Sequence, residues 1–415
     1  MISALLKGVL TKCIYQLSRL APRDGGKAVL GSYKNRLSDN AKYLYLHWQQ
    51  THFIRSIWIS GDKLLINKLN QQGMEAYYRW SLLGIYHALT AKYYFYNSYI
   101  GDVNQYFANG AVKINLWHGT PIKRIEFDII NGPLSHVFNP KENTSSPLQS
   151  LLHHQQYTQP DVMLSPSQLT DTIFSSAFRL PPQALLRSGY PRTDFHARYP
   201  KQKQSKQTIF HMMKTRLSPH SKLILYTPSW RDNLSDTNPY QDAFNWQALS
   251  EYLVHTQSLF LLRLHPNEAH LASEYDHHPH IIDISQWEDV YPMLQEIDLL
   301  ITDYSSLFID VFQYQVPIIF YRFDKANYQE QCRDNYDYVE KISKVGPEYQ
   351  TFETLFEAIT KGKQEDNAEK RGEISFVCCS PYQKSYQEAQ AHFWEPSNKD
   401  AFTHIETFIT RFQPT

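Results

Sequence analysis

Two histidines, His118 in NLWHGTP and His265 in RLHP, directly follow apolar runs. Each run reads as a buried strand, so each imidazole is expected where the chain leaves a sheet. Near pH 7 a histidine can stay neutral and accept a proton from a hydroxyl, which makes His118 a candidate general base. Gly119 behind it would let backbone approach a ligand closely, and Thr120, Lys123 and Arg124 add a hydroxyl and two positive charges. For His265 a core histidine in a strand-to-proline turn at Pro266 is the competing reading.

The stretch ITDYSSLFIDVFQYQVPIIFY, residues 301 to 321, supplies a second feature. An apolar run ends at Thr302 and gives way to Asp303, Tyr304, Ser305 and Ser306, after which a helical period begins. A helix opening at Ser305 or Ser306 would turn its free amides outward, and such amides hold phosphate. Serine is also a common helix cap, so these residues could equally serve the helix alone. Asp303 has the same two readings. Polar groups follow two further runs: Ser229-Trp230-Arg231-Asp232 after LILYTP, and Arg263 just before His265.

Other chemistries find no support. Neither GxxxxGK[ST] nor GxGxxG nor GxSxG occurs, which argues against a P-loop, a dinucleotide site and a serine hydrolase elbow. The adjacent pairs His153-His154 and His277-His278 lack a metal-ligand spacing. Cys13, Cys332, Cys378 and Cys379 form no C-x-x-C and suggest a reducing cytosol. Lys+Arg and Asp+Glu both number 41, so no overall field attracts nucleic acid.

The elements that must position these groups follow an α/β rhythm over 415 residues, long enough for two domains. Strands are expected near residues 27 to 32, 56 to 60, 91 to 98, 112 to 117, 161 to 165 and 185 to 189. A polar linker over 199 to 207 precedes a second set near 222 to 228, 259 to 266, 280 to 285, 297 to 302 and 316 to 321. Open parallel sheets bind ligands beyond the carboxyl ends of their strands, where all the residues above would lie. Residues 1 to 26 form a separate piece. Ile2, Leu5, Leu6, Val9, Cys13, Leu17 and Leu20 recur at helical spacing with Lys7, Lys12 and Arg19 off the stripe. This basic amphipathic helix either packs on its own domain or rests on an anionic membrane surface; it is too short to span one and lacks signal-peptide features. The boundaries expected are 27 to 205 for the first domain, 206 to 395 for the second and 396 to 415 for a closing helix.

WHGTPIKRIEFD (117 to 128), SGYPRTD (188 to 194), LYTPSWRDN (225 to 233), RLHP (263 to 266) and ITDYSSLFIDV with PIIFY together resemble the CDP-glycerol glycerophosphotransferase family, which includes teichoic acid primases and polymerases and related capsule polymerases. GSYKNRLSDNAKYLY (31 to 45) is similar to that family's first strand and loop. The resemblance implies a GT-B type α/β fold: two Rossmann-like domains, an active site between them, and a final helix crossing back. It implies CDP-glycerol as donor, or CDP-ribitol as the close alternative, with CMP leaving. The acceptor would be a hydroxyl of a lipid-linked glycan or polyol phosphate, and no cofactor or catalytic metal would be needed; the basic N-terminal helix, over which the resemblance does not extend cleanly, fits peripheral attachment on the inner face of a bacterial membrane near such acceptors.

By position, His118 would be the base and His265 would stabilise the phosphate under attack. Thr302, Asp303, Ser305 and Ser306 would hold the donor, with Ser229, Arg231 and Asp232 beneath it, Arg263 and Pro266 flanking His265, and Gly119, Thr120 and Lys123 beside His118. Phosphoryl transfer asks chiefly for such positioning and positive charge. Two departures stand out. Glu126 occupies a place where the family commonly has glycine, and the short chain suggests addition of one unit to a primer. A nucleotide-sugar glycosyltransferase of the same fold and a silent scaffold subunit are the competing functions.

Overall fold

A computed structural model of the chain describes residues 2–132, 134–139, 146–231, 238–265, 267–275, 277–326, 335–339, 344–361, 377–395 and 400–412. Asp232, Pro266 and Cys332 lie outside the described residues. The chain forms two compact units: residues 1–118, 124–198 and 393–415 make the first, and residues 119–123 with 199–392 make the second.

The first unit is built on seven strands, β1 (Asp24–Leu30), β2 (Arg55–Ser60), β3 (Ala76–Tyr78), β4 (Ala91–Tyr96), β5 (Val112–Asn115), β6 (Val162–Ser165) and β7 (Leu185–Arg187), in the order β3-β2-β1-β4-β5-β6-β7. The second has six, β8 (Leu223–Thr227), β9 (Leu259–Leu262), β10 (Ile281–Asp283), β11 (Leu299–Thr302), β12 (Ile318–Tyr321) and β13 (Glu348–Tyr349), in the order β10-β9-β8-β11-β12-β13. Every pairing is parallel. Parallel strands covered by helices on both faces read as near-continuous apolar runs, as in β8, whose LILYT is buried throughout. Val29, Ile57, Ile59, Tyr94 and Tyr96 share the first core; Tyr226, Phe244, Phe260 and Tyr321 share the second.

Strand order reverses between β1 and β4 in one sheet and between β8 and β11 in the other. At such switch points the connecting loops diverge and leave room at the carboxyl ends. In the second unit the last β8 and β11 residues, Thr227 and Thr302, lie side by side, and the Thr302 hydroxyl donates to the Thr227 carbonyl at 2.8 Å. Thr302 is fully buried and belongs to the sheet, so it closes the strand pair and offers no hydroxyl at the surface.

Several expectations shift. β5 stops at Asn115, before Leu116 and Trp117, because Trp117 takes a left-handed backbone, φ 52°; β9 likewise ends at Leu262. The edge strands β3 and β13, of three and two residues, are too short to show any periodicity. The polar stretch 199 to 207 is not irregular: it holds a 3-10 turn, Pro200–Gln202, and opens the helix Lys206–Met212, with the Ser205 hydroxyl accepting from Thr208 N–H at 3.1 Å. The closing helix Ala401–Phe412 is part of the first unit. Its Glu406 accepts from Trp48 Nε1 at 3.1 Å and lies 2.9 Å from His47 Nε2, while Asp194 accepts from Ala401 N–H at 2.8 Å.

The helix Ile2–Leu17 packs through an unexpected face. Thr11, Tyr15 and the following Ser18 are buried, and Gly8 lies so close to Leu151 that an added Cβ would meet its carbonyl oxygen at 2.5 Å. The small and polar face is therefore the packed one, whereas Leu6, Val9, Leu10, Leu17 and Leu20 are exposed.

Candidate active site

His118 sits three residues past β5, and the turn that presents it is held from three sides. Trp117, at φ 52°, and Gly119, at φ 133°, both leave the regions that ordinary residues prefer. Asn115 Oδ1 accepts from Trp117 N–H at 2.8 Å, and Asn40 Nδ2 donates to the carbonyls of Leu116 and Trp117 at 3.1 and 2.9 Å. The Trp117 ring is wedged edge-on against Phe178 with centroids 4.9 Å apart. These contacts offset the ~1–3 kcal/mol that a strained backbone stores.

The imidazole is fixed by its Nδ1, 2.9 Å from the carbonyl oxygen of Asn97 at the end of β4. A carbonyl only accepts, so Nδ1 must carry the proton, and in the neutral ring Nε2 presents a lone pair. Asn97 is itself locked: its Oδ1 accepts from Ala41 N–H at 3.0 Å and its Nδ2 donates to Ser32 Oγ at 2.8 Å. Arg192, from the SGYPRTD stretch, is 2% exposed and pairs with Asp39 at 2.7 Å. Crowding by protein depresses the basicity of His118; Asp39 and the Asn97 carbonyl oppose this, and Arg192 adds to it. The ring nevertheless keeps solvent-exposed surface. The neutral, proton-accepting form persists into mild acid.

Gly119 to Lys123 cluster with the second unit, where Ile122 accepts from Tyr336 N–H at 2.9 Å and Lys123 bridges to Asn335. Thr120 is 2% exposed with its hydroxyl turned inward, which removes it from surface contact with a ligand. Lys123 is half-buried. Glu126, where a glycine was expected, does take a left-handed backbone, φ 49°; it is buried, and its carboxylate accepts from the Tyr99 hydroxyl at 2.7 Å.

In the second unit the strand-end residues form a buried charged network. Arg231 faces Asp303 at 2.7 Å and Asp324 at 2.9 Å. Its peptide N–H donates to Glu268 at 3.2 Å, and Glu268 also accepts from the Tyr240 hydroxyl at 3.0 Å. Burial alone would weaken the hold of Arg231 on its proton, but Asp303 and the surrounding acidic groups outweigh it and drive the value upward. Asp303 is fully buried and accepts from Ser229 N–H at 2.7 Å and from Tyr304 N–H, while its carbonyl accepts from Arg322 Nε at 3.2 Å. The expectation that Arg231 and Asp303 face a donor therefore changes: two carboxylates already match the guanidinium, and the pair ties the end of β8 to the end of β11. Ser229, Ser305 and Ser306 remain partly exposed on the loops so fixed. The helix begins at Leu307, with Ser306 before it making no side-chain cap bond, and runs only to Val311.

His265 follows β9, with Arg263 N–H donating to the Tyr226 carbonyl at 2.9 Å. Its Nδ1 accepts from Asn267 N–H at 3.3 Å, which places the proton of the neutral ring on Nε2. Trp230, 41% exposed, stacks on the imidazole at 5.4 Å and 13° between planes. Sequence reasoning missed Asn97, Asn115, Asp102, Glu268 and Asp324. Only Asn97 gave a signal, as a polar residue closing the run AKYYFY.

Two α/β units carry imidazoles and hydroxyls at the ends of their strands, an arrangement that suits a group transferase. Residues 13–383 match the family CDP-glycerol:poly(glycerophosphate) glycerophosphotransferase, and the chain belongs to it. It is 26% identical over 356 residues to a teichoic acid poly(glycerol phosphate) polymerase of Bacillus spizizenii, covering 84% of this chain and 87% of that one. It is 27% identical over 369 residues to a teichoic acid glycerol-phosphate transferase of Staphylococcus aureus, covering 86% and 90%. In fold it is similar to the wall teichoic acid polymerase TagF, in a variant soaked with CDPG: TM-score 0.74, 22% identity, 99% of this chain and 97% of that one.

Proposed function

We propose that this transferase moves glycerol phosphate from CDP-glycerol to a hydroxyl of a lipid-linked glycan or polyol phosphate acceptor in the assembly of a bacterial surface polymer. The acceptor oxygen attacks the glycerol-bearing phosphorus as His118 Nε2 takes its proton. A new P–O bond forms, the bond to CMP breaks, and CMP leaves with the electron pair. His265, with its proton on Nε2, donates to the phosphoryl oxygens, where charge accumulates. Ser229, Ser305 and Ser306 offer hydroxyls to the donor, and Lys123 and Arg263 offer positive charge. The reading requires that both imidazoles act on one bound donor. The observation that carries it is the Nδ1 contact of His118 to Asn97 at 2.9 Å, which leaves Nε2 as a proton acceptor.

Contact with the inner face of the membrane is part of this proposal. Leu6, Leu10 and Leu17 are exposed on one amphipathic helix that also carries Lys7 and Lys12, a pattern that lies in an anionic interface. Among the described residues no helix is long and apolar enough to cross a membrane.

Purified protein offered CDP-glycerol, CDP-ribitol and a nucleotide sugar in turn, each with a short synthetic glycerol phosphate acceptor, tests the reaction. CMP release from CDP-glycerol, with the acceptor gaining one glycerol phosphate in mass, is expected. Release from CDP-ribitol alone would move the donor; transfer of a sugar without phosphorus would overturn the reaction class.

A further inference from the structure

The carbonyl that fixes His118 belongs to a peptide unit with a second strong partner. Asn97 C=O accepts from His118 Nδ1 at 2.9 Å, and the N–H of the same peptide, that of Ser98, donates to Asp102 Oδ2 at 2.8 Å. The same carboxylate takes the Asn97 N–H at 3.1 Å and the Ser98 hydroxyl at 2.9 and 3.0 Å. Asp102 is 6% exposed, and Asn97 and Ser98 are 1% and 7% exposed, so these bonds are shielded from competing water. We propose that Asp102 is the positioning residue for His118, acting through the Asn97–Ser98 peptide, whose C=O and N–H link imidazole to carboxylate in one hydrogen-bonded line.

The physics has two parts. A carboxylate accepting from a peptide N–H withdraws that proton and enriches the carbonyl oxygen at the other end, and hydrogen bonds in series strengthen one another. The enriched carbonyl then favours the proton on Nδ1 and the lone pair on Nε2. The line is also rigid. Asn115 Nδ2 donates to Ser98 C=O at 3.1 Å, Arg79 Nη2 donates to the Asp102 carbonyl at 2.6 Å, and a Cβ on Gly31 would lie 2.4 Å from that carbonyl oxygen. The loop between β4 and β5 therefore has little freedom to let the Asn97 carbonyl turn away. Burial raises the Asp102 carboxyl to about 6, against the bonds from Ser98 and Asn97 and the charge of Arg79, so the group is chiefly ionised at pH 7.5.

The proposal rests on His118 being the base, and the experiment separates the two. Imidazole ¹⁵N spectra of histidine-labelled full-length protein at pH 7.5 give the His118 tautomer, its signals assigned by their loss in H118A. In the wild type a protonated Nδ1 and a bare Nε2 are expected; in D102N, a mixture of tautomers. CMP release from CDP-glycerol should fall ~10- to 100-fold in D102N, the scale for a misoriented catalytic group. D102N placed on H118A should cost little more than H118A alone. An Nε2-protonated ring in the wild type, an unchanged tautomer in D102N, or an equal loss from D102N with and without His118 would overturn the relay. Should D102N not fold, D102E, which keeps the charge but moves the carboxylate, is read by the same spectra, and an unchanged tautomer with unchanged CMP release there overturns the relay. Full activity in H118A would remove the base assignment while the spectra still judged the relay.

Discussion

His118 donates from Nδ1 to the Asn97 carbonyl at 2.9 Å, whereas His265 accepts at Nδ1 from the Asn267 N–H at 3.3 Å, so the two rings offer opposite chemistry at Nε2. One presents a lone pair and the other a proton. Their supports differ as well. The His118 turn is touched by neutral amides and carbonyls, Asn40, Asn97 and Asn115, with one carboxylate, Asp102, behind the Asn97–Ser98 peptide and the Asp39–Arg192 pair at its edge. Near His265 the chain is organised by fully or largely buried charges, Arg231 with Asp303, Asp324 and Glu268. The proposed base needs an acceptor nitrogen that stays neutral, and here the groups that touch the ring side directly are neutral while the Asp102 charge acts from one peptide away. The proposed donor site needs loops that hold their place as a dense negative charge arrives, and paired charges hold them without leaving a bare carboxylate facing the ligand.

The largest effect that would break this comparison is loss of the lone pair. H118A should lower CMP release from CDP-glycerol by ~10²- to 10⁴-fold, the scale for a missing general base, with the urea unfolding midpoint unchanged because the ring is exposed. Activity near that of the wild type would strip His118 of its role.

The second test sharpens the contrast on the charged side. R231A should lower stability by ~3–5 kcal/mol, the range for an unmatched buried ion, since Asp303 has no exposed surface and would lose its counter-charge. Urea denaturation followed by tryptophan fluorescence reads this, and Trp230 and Trp246 report on the second unit. A loss below ~1 kcal/mol, with activity collapsing, would show that Arg231 serves the donor and not the loop.

How much of this was legible in the sequence follows from the same contrast. The strands were readable because β8 and β11 are near-continuous apolar runs and β4 is a run of aromatic residues after Lys92, and His118 and His265 were readable because each ends such a run. The resemblance carried by WHGTP, RLHP and DYSS gave the family that the matched residues 13–383 establish. What holds the imidazoles was not legible, because Asn97 lies 21 residues from His118 and Arg231 lies 93 from Asp324, and one sequence holds no sign of such pairings. Arg231 looked like a phosphate contact for the same reason: its charge is visible in the sequence, its partners are not. The N-terminal stripe misled differently. Apolar spacing says that a face exists, and here the packed face is the one with Gly8 and Thr11, since close helix contact favours small residues.

The smallest expected effect is on pH dependence, and it addresses the two rings together. Crowding lowers the His118 pKa below its ordinary 6.5, so protonation, which abolishes the base, occurs only at more acid pH. The acidic limb of kcat/KM against pH should therefore lie below 6.5, and H118A should lose that limb in whatever activity remains. The sign for stability is the same. A histidine whose folded pKa is depressed binds its proton less readily than the unfolded chain, so its contribution is complete above 6.5 and is lost as pH falls toward the folded value. Asp102 runs the other way: raised to about 6 from an ordinary 3.8, it favours the folded state below 3.8, and that contribution is lost as pH rises through 6. A limb above 6.5 that survives in H118A would assign the titration to another group and break the division of labour between the two histidines.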